Sequence, residues 1–284
     1  MLLRELVEHA AQRFDEAGID SAAVDAELLA GHALGLSRGG VQSEIIRGAE
    51  LNETQAERLT ELYGRRLNRE PLQHITGTAY FRNLELSVGK GVFIPRPETE
   101  FVAQLAIDAL RATSTEGPIA VDLGTGSGAI ALAMATEVSH AKIYAVEKSD
   151  EALSFAKKNF ERYSGSNPTL IQGDLSDAFS DLDSTVSVVA SNPPYIPSGS
   201  VPRDIEVKLF DPELALYGGE DGMQVMHLVS ASAKRLLHSG GSLVLEHADS
   251  QATQVIQLLL ADGWRQVRSH KDLTGRDRAV TAIK

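Results

Sequence analysis

The chain of 284 residues contains no cysteine. That absence excludes a disulfide-stabilised scaffold, a thiolate nucleophile and any zinc site built on cysteine. Positive charge is also scarce, because 27 lysine and arginine residues stand against 39 aspartate and glutamate residues, for a formal net charge of −12. A broad, sequence-independent grip on nucleic-acid phosphates needs clustered basic residues. The charge balance therefore favours a small or basic partner over direct nucleic-acid binding.

Long apolar segments are missing as well. No run approaches the roughly 20 residues needed to cross a bilayer. The first residues alternate charged and apolar side chains, where a signal peptide would have an apolar core. We therefore expect a cytoplasmic protein with no membrane partner. The histidines, His74 and His247 among them, lack metal-ligand spacing, so no metal site is predicted.

Residues 1–75 are predicted to form a small all-α bundle. Apolar residues recur there at helical spacing in three segments, covering residues 3–17, about 20–35 and about 53–69. Gly18 ends the first segment, and Asn52 and Gln55 have the spacing of a capping box at the start of the third.

The period then changes toward two over residues 76–97, which predicts a short β-hairpin that links the bundle to the rest of the chain. Pro97 suits the first turn of a following helix, with Glu98 and Glu100 favourable beside its positive end. By composition alone, the stretch from Pro97 to Glu100 indicates only the start of a helix. Residues 98–284 are predicted to form the second domain.

From Ile119 onward, strand-like runs alternate with helical patterns, which is typical of βαβ units and a mostly parallel sheet. This predicts an α/β fold with a Rossmann-like, seven-stranded sheet. The predicted strands are 119–123, 142–147, 169–172, 186–190, 242–246, 265–270 and 278–283, and the helices between them include 129–137, 150–163, 221–238 and 250–262. Residues 191–220 are rich in proline and glycine, and we interpret them as an active-site loop that covers the substrate.

A glycine-rich turn, Gly124-Thr125-Gly126-Ser127-Gly128, follows the first of these strands and opens a helix. Such a turn lets a ligand approach the backbone and the helix N-terminal N–H groups closely. Glu147 ends the next strand, about 20 residues beyond Gly126, where an acid can bind the ribose hydroxyls of an adenosine. This combination predicts a nucleoside cofactor, either NAD or S-adenosylmethionine.

Two further acids favour S-adenosylmethionine. Asp122 ends the strand before the turn, where it can meet the ammonium of an amino-acid group, directly or through water. Asp174 follows the third strand, where it can accept a hydrogen bond from the adenine amino group. As alternatives, Asp122 caps the turn and Asp174 is a simple turn residue.

Asn192-Pro193-Pro194-Tyr195 follows the strand at 186–190. The prolines donate no backbone N–H, and Pro193 pushes Asn192 toward an extended conformation. The Asn192 side-chain oxygen and the Pro193 carbonyl can both accept from an incoming –NH₂ group, while the Tyr195 ring can lie against a flat amide or base. The motif therefore predicts a catalytic site for a planar amine, with a proline-rich turn as the alternative.

These stretches together resemble one family. Ile94–Glu100, Asp122–Gly128, Asn192–Ile196 and Gly275–Arg278 are similar to the motifs of the bacterial peptide chain release factor glutamine methyltransferases, and the resemblance covers essentially the whole chain. Asn-Pro-Pro-Tyr also occurs in adenine amino-methyltransferases. The stretch from Ile94 to Glu100 behind a helical domain narrows the resemblance to the protein-glutamine group.

The resemblance implies a class I methyltransferase fold and methylation of the glutamine in the Gly-Gly-Gln tripeptide of class 1 release factors, with residues 1–75 as a substrate-recognition domain. It implies catalytic roles for Asn192, Pro193 and Tyr195, with Pro194 also in the substrate site. Many members carry aspartate in place of Glu147, and some carry an aromatic residue in place of Leu175. The implied S-adenosylmethionine site consists of Asp122, Gly124, Thr125, Gly126, Ser127, Gly128, Glu147, Asp174, Leu175 and Asn192.

Two alternatives remain open. A sister group shares most of these motifs and acts on a glutamine of another protein, such as a ribosomal protein. An adenine amino-methyltransferase, or a nucleic-acid-binding relative, is the other alternative. The acidic balance and the lack of a basic domain weigh against the latter.

Overall fold

A computed structural model describes residues 1–166, 168–202 and 204–284. The chain forms two compact units. One consists of residues 1–77 together with residues 204–210, and the other contains the rest of the described chain. Among the described residues, no helix combines the length and apolar character that a membrane span requires.

Helices and strands cover most of both units. The helices are α1 Leu3–Glu16, α2 Ala22–Leu34, α3 Arg38–Arg47, α4 Glu53–Leu67, α5 Leu72–Thr76, α6 Pro97–Arg111, α7 Ala129–Glu137, α8 Asp150–Arg162, α9 Ile205–Phe210, α10 Glu213–Leu216, α11 Gln224–Leu236 and α12 Ala252–Ala261. The strands are β1 Thr78–Phe81, β2 Leu84–Ser87, β3 Ile119–Leu123, β4 Lys142–Glu147, β5 Thr169–Gln172, β6 Val186–Ser191, β7 Leu237–Glu246, β8 Arg265–Lys271 and β9 Asp277–Ile283.

The helical unit contains the three helices that periodicity predicts, as α1, α2 and α4, together with α3 and α5. The predicted capping box is confirmed, because the Gln55 N–H donates to Asn52 Oδ1 over 2.9 Å and the Asn52 N–H donates to Gln55 Oε1 over 3.1 Å. Helix α3 begins with Arg-Gly-Gly, where glycine weakens the helical signal. Helix α5 has only five residues and is too short to show a period.

Helix α9 belongs to the helical unit although it lies more than a hundred residues further along the chain. Arg66 is buried on α4 and donates to Asp25 of α2 over 2.8 Å and to Glu206 of α9 over 2.7 Å. Arg69 reaches the same Glu206 oxygen over 3.3 Å. Because breaking a buried ion pair typically costs about 3–5 kcal/mol, these bonds fix α9 against α2 and α4.

The second unit is organised around a seven-stranded sheet in the order β5-β4-β3-β6-β7-β9-β8. Strand β9 runs antiparallel to β7 and β8, and the remaining neighbours are parallel, which confirms the predicted fold class. The central strands β3 and β6 are buried on both faces, as expected for parallel strands between helices, whereas the edge strands β5 and β8 contain no buried residue. Along β3, Ala120 packs into the core shared with α6 and α7, whereas Val121 packs into the core shared with α11 and α12.

The hairpin of β1 and β2 packs with the sheet unit. Phe81, Leu84 and Leu86 are buried in the same core as α6 and α7. At the turn, the Arg82 guanidinium donates to both Glu137 carboxylate oxygens, over 2.5 and 2.8 Å. This two-point contact holds the hairpin against the end of α7.

The largest differences between the expected and the observed bounds lie within residues 191–242. The helix expected over 221–238 is α11, which ends at Leu236, and β7 begins at Leu237, five residues before the expected strand start at 242. Gly240 and Gly241 within β7 obscure the strand pattern. The segment expected to be a loop, 191–220, contains the short helices α9 and α10.

Candidate active site

The order of the strands brings the two main motifs together. The chain runs outward from β3 through β4 to β5, and then returns to place β6 on the other side of β3. Asp122 of β3 pairs with Ala190 of β6, so the glycine turn and the Asn-Pro-Pro-Tyr loop leave the sheet side by side at its carboxyl edge. The Ser191 hydroxyl donates to the Leu123 carbonyl over 2.7 Å and ties the two strand ends together. Ligands bind at this position in open α/β sheets.

The glycine turn has a backbone that requires glycine. Gly124, Gly126 and Gly128 all have positive φ, at 76°, 58° and 91°. A Cβ at Gly128 would lie 2.7 Å from the Phe160 ring of α8. The turn leads into α7, whose N-terminal N–H groups face the same edge, which suits an anionic or polar ligand.

Glu147 joins the glycine turn to the start of α8. The Gly126 N–H donates to Glu147 Oε2 over 2.8 Å, and the Ser149 N–H donates to Oε1 over 2.7 Å. Each carboxylate oxygen accepts a second hydrogen bond readily. The predicted ribose-binding acid is therefore held in place and keeps acceptor capacity for a pair of hydroxyl groups.

Asp122 is buried at the base of the turn. Its Oδ2 accepts from the Thr125 hydroxyl over 2.6 Å and from the Ala131 N–H over 3.1 Å, as the capping alternative expects. Within the described chain, its Oδ1 is buried and accepts no hydrogen bond. Burial raises the pKa of Asp122 to about 7, because its effect is larger than that of the two hydrogen bonds, which lower the pKa. A cationic donor such as an ammonium would satisfy Oδ1 and favour the ionised carboxylate.

Asp174 lies just beyond β5, next to the end of β4. Its Oδ1 accepts from the Ser176 N–H over 3.0 Å and from the Ser176 hydroxyl over 2.7 Å. Lys148 donates to Oδ2 over 2.9 Å. These hydrogen bonds, those from Ser176 first, lower the pKa of Asp174 to about 2. Leu175 is half-buried and packs against the core beneath the sheet edge.

The Asn192 amide has a defined orientation. Its Nδ2 donates to the Thr99 hydroxyl over 3.3 Å, so the side-chain oxygen is left as an acceptor. Pro193 is buried, and no backbone N–H of the described residues donates to its carbonyl. Both acceptors that the sequence predicts are therefore available at the end of β6.

Tyr195 packs against the core shared with α11 and α12. Burial raises the pKa of its phenol to about 12, and the nearby Glu246 adds to this shift. Its carbonyl accepts from Gln251 Nε2 over 3.0 Å. The phenol is therefore neutral over the physiological pH range and serves as a packing surface.

The segment after the motif is bonded back onto it. Ile196 donates to the Leu216 carbonyl over 2.8 Å and accepts from the Gly218 N–H over 2.9 Å. A Cβ at Gly218 would lie 2.5 Å from the Pro194 carbonyl, and one at Gly222 would lie 2.2 Å from the Tyr195 carbonyl. Sequence reasoning places Gly218 in a loop and Gly222 in a helix, and close approach to neighbouring backbone explains both glycines.

The stretch that sequence reasoning interprets as a helix start also contributes to the site. Arg96 donates to the buried Asp211 over 2.6 Å, which fixes the returning segment to the start of α6. Thr99, on the first turn of α6, contacts Asn192. Glu246, at the end of β7, is 2% exposed, and sequence reasoning misses it. The sequence signal that could have identified Glu246 is an acidic residue at the carboxyl end of an apolar strand.

The pKa of Asp122 sets a pH dependence of stability. Between its ordinary value of 3.8 and about 7, the carboxyl is protonated in the folded protein and ionised in the unfolded chain. The folded state then binds more protons, so the free energy of unfolding falls as pH rises through this range. In Asp122→Asn, this part of the decline should be absent. Urea unfolding at a series of pH values measures it.

The exposed Asp177→Asn is the matched control and should follow the wild type. Burial also raises the pKa of Glu246 to about 7. The free energy of unfolding of Asp122→Asn should therefore still fall with rising pH, but less steeply than that of the wild type. If Asp122→Asn and the wild type show the same slope, the buried carboxyl does not titrate as described.

Two family models match the chain. A model described as the PrmC N-terminal domain matches residues 5–77, and a model described as the methyltransferase small domain matches residues 83–213. The first match falls on the helical unit, and the second covers the glycine turn and the Asn-Pro-Pro-Tyr motif.

Two solved methyltransferases have a fold similar to that of this chain. One, from Pyrococcus furiosus, has a TM-score of 0.52 at 21% identity and covers 72% of this chain and 90% of its own. Another is the T. thermophilus 16S rRNA N2 G1207 methyltransferase in complex with AdoMet and guanosine. It has a TM-score of 0.52 at 19% identity, and the match covers 73% of this chain and 49% of the methyltransferase chain. At this identity, the likeness supports the class I methyltransferase fold alone.

Relatives in sequence match along the full chain. A release factor glutamine methyltransferase of Streptomyces coelicolor is 47% identical over 286 residues, covering 100% of this chain and 98% of its own. A release factor glutamine methyltransferase of Bifidobacterium longum is 39% identical, and the match covers 100% of this chain and 100% of the relative. A third, from Deinococcus radiodurans, is also 39% identical, and the match covers 99% of this chain and 98% of the relative. With this identity over its whole length, and with the motifs assembled at one sheet edge, the chain belongs to the release factor glutamine methyltransferase family.

Proposed function

We propose that this enzyme methylates the side-chain amide nitrogen of the glutamine in the Gly-Gly-Gln motif of class 1 peptide chain release factors, with S-adenosylmethionine as methyl donor. The observation that carries the proposal is the pair of acceptors at the end of β6. Asn192 keeps its oxygen free because its amide nitrogen donates to Thr99, and the Pro193 carbonyl lies next to it in the chain. Two acceptors match the two N–H bonds of a primary amide.

The residues around the glycine turn fit S-adenosylmethionine. The unsatisfied Asp122 oxygen suits the ammonium of the methionine part, and Glu147 suits the ribose hydroxyls. Asp174, an ionised acceptor beyond β5, suits the adenine amino group, and Leu175 provides an apolar surface beside it. Gly124 to Gly128 leave room for close approach of the backbone. When bound, S-adenosylmethionine supplies an electrophilic methyl group on a sulfonium.

Asn192 and Pro193 can make the substrate amide nitrogen a better nucleophile. An amide nitrogen is a poor nucleophile because its lone pair is delocalised into the carbonyl. If Asn192 and the Pro193 carbonyl each accept one N–H, they fix the nitrogen and favour its pyramidal form, with the lone pair turned along the line of attack. Both acceptors stabilise the positive charge that grows on nitrogen until a proton leaves. Tyr195 holds the plane of the amide by stacking.

We assign catalysis to positioning and charge stabilisation. The motif itself contains no side chain suited to act as a general base, since Asn192 and the prolines do not titrate and the Tyr195 phenol is neutral. This assignment makes the orientation of Asn192 the most sensitive feature of the site.

Methyl transfer from labelled S-adenosylmethionine to a purified class 1 release factor tests the substrate. The wild-type factor should be labelled, and the same factor with its Gly-Gly-Gln glutamine changed to alanine should not. Label on both would place the reaction at another residue. Label on neither would overturn the proposed substrate, and ribosomal proteins and then adenine-containing oligonucleotides would be assayed next.

Asn192→Ala should lose most turnover, because one of the two acceptors is removed. Loss of a single transition-state acceptor typically lowers kcat by about 100-fold or more. S-adenosylmethionine affinity should fall only modestly, because the remaining cofactor residues are unchanged. Single-turnover kinetics and calorimetric titration separate the two effects, with the exposed Asn83→Ala as control. Near-normal turnover in Asn192→Ala would contradict the assigned role.

We further propose that the helical unit binds the release factor at a distance from the reacting glutamine. The unit exposes apolar side chains, and Ile46 on α3 is 79% exposed. Ile205 and Leu209 on α9 of the same unit are also exposed.

Ile46→Glu should therefore raise KM for the release factor by about tenfold, since burying an isoleucine side chain contributes about 1.5 kcal/mol or more. The KM for S-adenosylmethionine and kcat should stay at wild-type values. Leu260→Glu is the matched control, because Leu260 is 56% exposed on α12 of the other unit. Steady-state kinetics with varied release factor measures both variants, and equal KM values would argue against docking through α3.

A further inference from the structure

The peptide bond that follows Tyr195 is held on both of its sides. Its carbonyl oxygen, which belongs to Tyr195, accepts from Gln251 Nε2 over 3.0 Å. Its N–H group, which belongs to Ile196, donates to the Leu216 carbonyl over 2.8 Å. Gln251 directly precedes α12, whereas Leu216 ends α10. Two different elements therefore fix the orientation of this one peptide plane.

The orientation of the Gln251 amide follows from its two partners. Its Oε1 accepts from the Ala248 N–H over 3.1 Å, while its Nε2 donates to the Tyr195 carbonyl. A backbone N–H only donates and a carbonyl oxygen only accepts, so the reversed amide would lose both hydrogen bonds. The residue is 5% exposed, which leaves little room for water to replace either partner. Gln251 therefore presents a donor to the Asn-Pro-Pro-Tyr motif.

The backbone of Gly222 covers the hydrogen bond between Gln251 and Tyr195. Gly222 has a φ of 76°, and a Cβ at this position would lie 2.2 Å from the Tyr195 carbonyl oxygen and 2.8 Å from Gln251 Nε2. Glycine adopts this backbone conformation and allows such a close approach. Any side chain at Gly222 would force the donor and the acceptor apart.

The motif has few free torsions between its two ends. Pro193 and Pro194 have a fixed φ. At the strand end, the Ser191 hydroxyl donates to the Leu123 carbonyl over 2.7 Å. With one end anchored and the middle stiff, the placement of the Tyr195 ring and the direction of the Pro193 carbonyl depend on how the Tyr195 end is held.

We propose that Gln251 is a positioning residue for the reaction. It holds the Tyr195 end of the motif, so that the Tyr195 ring and the Pro193 carbonyl meet the substrate amide in a fixed geometry. The proposal deepens the function proposed above and rests on it, because that function gives Tyr195 and Pro193 their contacts with the substrate. It also connects the catalytic motif to a residue 56 positions further along the chain.

Gln251→Glu removes the donor and keeps the acceptor. The side chain retains its size and an oxygen for the Ala248 N–H, but in mildly alkaline buffer a carboxylate without a proton faces the Tyr195 carbonyl. We expect kcat to fall by about 100-fold, the scale of loss for a group misplaced by about 1 Å. S-adenosylmethionine affinity should stay at the wild-type value, because among the described residues the Gln251 side chain bonds to Ala248 and Tyr195 alone.

Two controls separate positioning from general damage. Gln254→Glu adds the same charge at an exposed position of α12 and should keep the wild-type kcat. Ser230→Ala removes buried hydrogen bonds to Asp262 and Trp264 at the other end of α12. It should lower the free energy of unfolding while kcat and both KM values stay at wild-type values. A wild-type kcat in Gln251→Glu would overturn the proposal.

Two further variants keep the proposal testable if Gln251→Glu folds poorly. Gln251→Met is neutral and of similar length, and it should lower kcat because it has no donor for the Tyr195 carbonyl. Gly222→Ala should lower kcat by pushing that carbonyl away from Gln251. Since both changes act on one contact, the double variant should have a kcat close to that of the slower single variant. Losses that simply multiply would contradict a shared contact.

Amide hydrogen exchange supplies a readout that needs no substrate. In the free enzyme, the Ile196 N–H should exchange faster in Gln251→Glu than in the wild type, because its peptide plane is released on the carbonyl side. The Ala248 N–H should stay protected, since its acceptor is retained. Neither N–H should change in Gln254→Glu. NMR measures both rates.

This readout separates the proposal from the proposed function. If the wild type labels no release factor while the Ile196 N–H responds in Gln251→Glu, the proposed function fails and the hold on the motif stands. A wild-type exchange rate for the Ile196 N–H in that variant would overturn the hold, whatever the enzyme methylates.

Discussion

The reversal of strand order between β3 and β6 is the constraint on which the site depends. Two neighbouring parallel strands with helices on opposite faces leave a crevice at their carboxyl ends. The glycine turn occupies one side of this crevice, and the Asn-Pro-Pro-Tyr loop occupies the other. Residues separated by some seventy positions in sequence are thereby brought to one edge, and the Ser191 bond to Leu123 fixes their spacing.

The site concentrates acceptors and buried acids at that edge. Asp122 and Glu246 each retain a buried carboxylate oxygen that accepts nothing from the described chain, although burial of such groups is unfavourable. Both have pKa values raised to about 7 by burial. Buried, unpaired carboxylates lower stability at this edge of the sheet, and a loss of stability at a polar site is common in enzymes.

Sequence predicts the fold class, the order of elements and the residues at both motifs, because each depends on local periodicity or on a contiguous motif. It predicts the Asn192 oxygen as an acceptor, but it does not predict the contact between the Asn192 amide nitrogen and Thr99. It does not predict the burial of Glu246 or the close backbone approaches at Gly218 and Gly222, because these depend on packing between distant segments. It also cannot foresee that residues 204–210 join the helical unit, since α9 has only six residues and no informative period.

The placement of α9 has a consequence for biosynthesis. On the ribosome, residues 1–77 emerge first, but Arg66 meets Glu206 only after 140 further residues have been made. Until then, one charge-neutralising partner of a buried guanidinium is missing, and the helical unit lacks part of its packing. Its last folding step therefore waits for most of the sheet unit to be translated, and nascent chains that end before α9 present an incomplete helical surface to chaperones.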